Sequence, residues 1–117
     1  MRYLLLIVND EQPAAGRPLD EAWLRTWEEF LNQMRAAGKL LGAERLRPSA
    51  SATTVRRADG RTLLSDGPFT ESKEQVAGYL LIEAKNLDEA LEWANRLPTL
   101  ERGGCVEVRP IWERGED

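Results

Sequence analysis

A chain of 117 residues, 42% apolar and 31% charged, is long enough for one hydrophobic core and too apolar for global disorder. It has no histidine and a single cysteine, Cys105, which excludes Ser-His and Cys-His nucleophiles, 2-His-1-carboxylate metal centres and an intrachain disulfide. The formal charge of −4 argues against a nucleic-acid partner, and any acid–base chemistry falls to carboxylates, lysines and tyrosines.

Residues 2–9 read as a strand. Tyr3, Leu5 and Ile7 fall on one face and Leu4, Leu6 and Val8 on the other, so both faces are apolar and the strand is expected to be central. This longest apolar run is far short of the ~20 residues of a membrane helix. Only Arg2 separates it from Met1, and no small-residue cleavage site follows, so the expectation is a cytoplasmic chain without a signal peptide or membrane partner. Residues 10–18, with Pro13, Gly16 and Pro18, read as a loop. Asp20 is placed to cap a helix with Glu21 in its first turn, and Gly38 to stop it. Trp23, Trp27, Phe30, Leu31 and Met34 form its apolar stripe, expected to pack the core rather than to hold a cofactor.

A second strand is expected over residues 40–46. Two short strands, residues 53–57 and 61–64, flank Asp59-Gly60, a dipeptide that accepts the positive φ angles of a tight hairpin turn. From Lys39 to Arg61 six cations (Lys39, Arg45, Arg47, Arg56, Arg57, Arg61) meet only Glu44 and Asp59. That pattern fits a solvated edge strand, whose charges block unwanted pairing, or an anion-binding surface. Residues 75–84 form the next strand, apolar on both faces through Tyr79, Leu80, Leu81 and Ile82, with Gly78 marking a bulge or close approach. Asn86 and Glu89 make a capping box for a second helix that buries Leu87, Ala90, Leu91, Ala94 and Leu97 and ends at Pro98. Residues 106–112 give the last strand, Cys105 beside it is expected to be a small buried hydrophobe, and 113–117 a frayed tail.

The order β-α-β, hairpin, β-α-β predicts a single α+β domain over residues 1–112, a ferredoxin-like βαββαβ antiparallel sheet with both helices on one face and an inserted β-hairpin. Helices on one face leave the other apolar face of the central strands bare. A second copy, sheet against sheet, is therefore the expected partner.

One segment stands apart: Asp66-Gly67-Pro68-Phe69-Thr70-Glu71-Ser72-Lys73-Glu74. Together with Gly78-Tyr79, the final Val106-Glu107-Val108-Arg109-Pro110, the opening residues 3–7 and residues 87–94, it resembles the DGPF family of YCII-related proteins over nearly the whole chain. The resemblance implies a homodimeric α/β barrel and brings no settled activity; without histidine and with one thiol, the chain is expected to hold no metal and no cofactor. It also implies a link to extracytoplasmic-function sigma factors, whose genes often accompany those of the family. The YciI-like branch carries a His-Asp pair proposed as catalytic, and a chain without histidine cannot carry it.

The residues allow two readings of the segment. Gly67-Pro68 makes a stiff turn, Asp66 can accept hydrogen bonds from the backbone that follows, Phe69 is expected to anchor in the core and Thr70 to cap a turn. On that reading it is a structural staple. On the other, the same turn holds Asp66 and Glu71, with Glu74, as acid–base groups at a cavity mouth, while Lys73, Arg109 and Tyr79 bind the ligand. Glu107 and Arg109 share a face, so Arg109 either clamps an anion in a dimer cavity or pairs with Glu107. The function classes left open are a dimeric binding or accessory module, linked to sigma-factor regulation, and a metal-independent enzyme acting on a small polar or anionic molecule.

Overall fold

The computed structural model describes residues 1–11 and 20–116, so most of the loop expected over 10–18 lies outside the described residues. The elements are β1 (Arg2–Asp10), α1 (Glu21–Ala36), β2 (Leu40–Arg45), β3 (Thr53–Ala58), β4 (Arg61–Asp66), β5 (Glu74–Glu83), α2 (Leu87–Ala94) and β6 (Cys105–Pro110). β2, β5, β1 and β6 form one antiparallel sheet in that spatial order, and β3 and β4 form a separate hairpin. This is the expected ferredoxin-like sheet with an inserted hairpin. Among the described residues no helix is long and apolar enough to cross a membrane.

Local chemistry sets the helix ends. Asp20 is extended, and its Oδ1 accepts the Trp23 N–H at 2.8 Å, satisfying a donor with no partner inside α1. Gly38 ends α1 at φ 73°, which lets the Lys39 N–H reach back to Met34 O at 3.0 Å. In α2, Asn86 Oδ1 accepts the Glu89 N–H at 3.0 Å, while the Glu89 carboxylate takes the Lys85 N–H at 3.1 Å. α2 stops at Ala94, four residues before the expected proline. Leu97 takes the extended form that precedes proline, and Pro98 opens a 3-10 turn, Pro98–Arg102.

The core lies between the helices and one sheet face. Tyr3, Leu5 and Ile7 of β1 and Leu80 and Ile82 of β5 meet Phe30 and Met34 of α1, Ala90 and Ala94 of α2, and Leu97. Leu87 and Leu91 do not join it as the sequence pattern predicted; both are about half exposed. Ala90, Ala94 and Leu97 of the same predicted face are buried as expected, and the small alanines let the helix sit close, leaving the two leucines at the rim. Trp23, Trp27, Phe30 and Trp93 run edge to face in sequence, with centroids 6.1–6.4 Å apart.

Register assigns the opposite face. Leu6 lies between Tyr79 and Glu107, Leu4 between Leu81 and Arg109, and Val8 between Val76 and Cys105. No element covers this face among the described residues, which is why Cys105 is exposed and not buried as expected. β1 and β5 slip register once: Ile7 faces Gly78 and Val8 faces Val76, so Ala77 is the extra residue of a bulge.

The hairpin is an arm. Its turn has Asp59 at φ 49° and Gly60 at φ 74°, as the Asp-Gly pair predicted. Its base is tied by the Gly67 N–H to Ala52 O at 2.7 Å and by Thr54 Oγ1 to Gly67 O at 2.8 Å. The radius of gyration of 16.3 Å exceeds the ~13 Å of a compact chain of this size because the arm projects. Phe69 sits at the arm's base and is 74% exposed rather than anchored in the core. The guanidinium of Arg56, 5.0 Å from the ring centroid, takes the place of core contacts. The C-terminal segment is held more firmly than expected: Arg2 grips Glu113 through two bonds of 2.8 and 3.2 Å.

Candidate functional site

Among the described residues, a cleft of about 540 Å³ lies between the N-terminal half of α1 and the β1–β5–β2 side of the sheet. Trp23, Leu24, Trp27 and Leu31 form its helical wall, since they fall three or four residues apart and so share a stripe. Ile7, Leu80 and Ala43 make the floor, all on the helix-facing side by register. Asp10, Glu11, Arg45 and Arg47 ring the mouth, so the rim carries both signs of charge over an aromatic interior.

The rim has defined supports. Glu11 accepts the Ser49 N–H at 2.7 Å and also the Ser49 hydroxyl, tying the end of β1 to the turn after β2. Lys73 Nζ lies 3.6 Å from Asp10 Oδ2. Trp23 carries the Arg102 guanidinium 3.8 Å from its ring centroid. Asn9 also lines the cleft, and its Oδ1 accepts the hydroxyl of Thr99, the one buried polar residue among those described.

The residues singled out from the sequence divide around this cleft. Tyr79 lies in its wall, although register sets its side chain on the opposite sheet face beside Leu6. Lys73 reaches the rim through Asp10. Asp66 is exposed at the end of β4, opposite Thr53, and neither it nor Glu71 lines the cleft. The turn of the motif is tied by Ser72, whose Oγ accepts the Glu74 N–H at 3.3 Å, not by Thr70. Thr70 and Ser72 give their carbonyls to Gln75 Nε2 instead. Arg109 is on the open sheet face, 3.7 Å from Glu107, the pairing foreseen for these two.

Sequence reading missed Asn9, Asp10 and Glu11 because they end a strand and carry no motif. The tryptophans were legible as a stripe. Only the gap between α1 and β2 shows that the stripe's first turns wall a cavity. Arg45 and Arg47 belonged to the basic stretch already noted as a possible anion surface.

A family model described as the YCII-related domain matches residues 1–114. An uncharacterized protein, R00369, of Rhizobium meliloti (strain 1021) is 40% identical over 114 residues, covering 95% of this chain and 92% of that protein. Among solved structures, this chain is similar to the 5-chloro-2-hydroxyhydroquinone dehydrochlorinase TftG of Burkholderia phenoliruptrix AC1100, in complex with 2,5-dihydroxybenzoquinone. The TM-score is 0.50 at 16% identity, over 98% of this chain and 96% of that one. At that identity the likeness concerns the fold.

Proposed function

The chain belongs to the YCII-related family, and on that premise we propose that it is a dimeric small-molecule-binding protein whose ligand enters the cleft beneath α1. The observation that carries this reading is the cleft itself. Its volume of about 540 Å³ is in the range of small-molecule sites. Its interior offers the flat faces and edges of two tryptophans, and its mouth offers Arg45 and Arg47. A small planar molecule with a polar or anionic edge matches that distribution. TftG, a structural neighbour, holds a small planar quinone, which is consistent with such a ligand.

Exposed apolar surface supports the dimer. The open face presents Leu4, Leu6, Val8, Val76 and Leu81. The arm adds Val55, Leu63 and Leu64, which are 65%, 47% and 69% exposed. A two-stranded hairpin is marginal in water without packing, and each such side chain gains ~1.5–3 kcal/mol when buried. A second copy laid on the open face, within reach of the arm, supplies that cover. A role in a sigma-factor-linked response rests on the resemblance to the DGPF family alone.

A second reading is carboxylate acid–base catalysis without a metal. Asp10 and Glu11 at the cleft mouth favour it. Asp66 and Glu71 join that reading where the arm brings them to the cleft of a second copy, with Lys73 and Arg109 orienting the substrate.

Native mass spectrometry of the protein, taken from a metabolite extract, tests the proposal. The expected result is a dimer retaining a small molecule that Ala43→Phe, which fills the cleft floor, no longer retains. Monomer mass at micromolar concentration would sink the dimer. Equal retention by Ala43→Phe would remove the ligand from the cleft. Loss of a retained ligand's chemical conversion in Asp10→Asn or Asp66→Asn, with binding kept, would favour catalysis.

A further inference from the structure

Asn9 is far in sequence from Thr99 and Gly104, and the three meet beside the cleft, which Asn9 lines. Thr99 is 1% exposed, and its hydroxyl donates to Asn9 Oδ1. A buried hydroxyl in a largely apolar core costs free energy unless it is bonded. Valine has the same shape and would fill the space without that cost. Gly104 sits against the pair: a Cβ there would overlap both Asn9 Oδ1 and Thr99 Oγ1. The Gly104 N–H bonds Thr99 O at 3.0 Å, fixing the 3-10 turn against the start of β6. Three positions thus converge to hold one carboxamide.

The direction of that carboxamide follows from strand alternation. Asn9 is two residues beyond Ile7 and shares its helix-facing side, the side on which the cleft lies. With Oδ1 occupied by Thr99, the two N–H donors of Nδ2 have no partner among the described residues and are left for the cleft. We infer that Asn9 is a ligand-binding residue that donates to a carbonyl or carboxylate oxygen of the ligand, and that Thr99 is its positioning residue. The inference rests on the cleft reading above and narrows its ligand to a planar molecule that carries a hydrogen-bond acceptor.

The test uses two probes of nearly equal shape, acetophenone and ethylbenzene, which differ by one acceptor oxygen. Ligand-observed NMR on the full chain is expected to show acetophenone bound roughly three- to tenfold more tightly, the worth of one neutral hydrogen bond. Acetophenone, and not ethylbenzene, should shift the Asn9 side-chain amide resonances. Thr99→Val should abolish the preference while keeping ethylbenzene affinity, and Thr99→Ser should restore it. If neither probe binds the wild type, the cleft reading falls and this inference with it. If both bind without preference and the Asn9 amide stays still, the cleft reading stands and the inference falls. The amide measurement needs no variant, so poor folding of Thr99→Val cannot shield the inference.

Discussion

Replacing Gly78 with alanine tests how the sheet is fitted together beside the cleft. A Cβ on Gly78 would stand 2.7 Å from the backbone oxygen of Glu44 and 3.3 Å from Arg45 Cα, where ordinary contact begins at 3.4 Å. Both obstacles are main chain of β2, so no side chain can swing away. β2 must move by about 0.7 Å from that oxygen, or β5 must twist further at the bulge. Overpacking of this kind costs ~1–3 kcal/mol, and straining the adjoining bond from the Leu46 N–H to Ala77 O, 2.8 Å long, adds up to ~1 kcal/mol. The lower chain entropy of alanine returns ~0.5–1 kcal/mol. A net loss of about 2 kcal/mol remains, a fall in Tm of roughly 6–12 °C for a domain of this size. Urea unfolding followed by tryptophan fluorescence measures it. Gly42, on β2, provides the control, because a Cβ added there would meet nothing within 4 Å: Gly42→Ala should be neutral or slightly stabilising. If the two variants agree within ~0.5 kcal/mol, the close approach at the bulge does not constrain the sheet.

Met34 is fully buried under the sheet, so Met34→Ala should cost ~2–5 kcal/mol in the same assay, and a smaller loss would mean the core collapses around the gap. The hydrogen bond from Lys39, 2.8 Å away, and then the Lys85 N–H hold the Glu89 carboxyl below its ordinary range. A depressed carboxyl contributes stability above its unfolded pKa and loses it as pH falls through the lower folded value. Stability measured from pH 6 downward should therefore fall less steeply in Glu89→Gln than in wild type; identical slopes would dissociate Glu89 from the acid limb. Leu6→Lys sets a charge in the middle of the open face and should convert a dimer to a folded monomer by light scattering. Unchanged mass with intact circular dichroism would exclude that face as the interface.

Much of the fold was legible because it depends on near neighbours in sequence. Alternation in β1 and β5, the caps Asp20 and Asn86, the stop at Gly38 and the Asp59-Gly60 turn each act within a few residues, and the sheet follows from their order. The chain itself likewise ruled out histidine chemistry. Tertiary structure decided what depends on distance between elements. Phe69 and Cys105 looked like core residues by composition, but one stands at the base of a projecting arm, under Arg56, and the other on a sheet face that no described element covers. Of the face expected to be buried on α2, Ala90 and Ala94 reached the core and Leu87 and Leu91 did not, because the depth at which a helix sits is set by what lies beneath it. The cleft arises where α1 leaves a gap over β2, and the Asn9–Thr99 contact joins residues 90 positions apart. Periodicity fixes which face a side chain takes; only the packed chain fixes what that face meets.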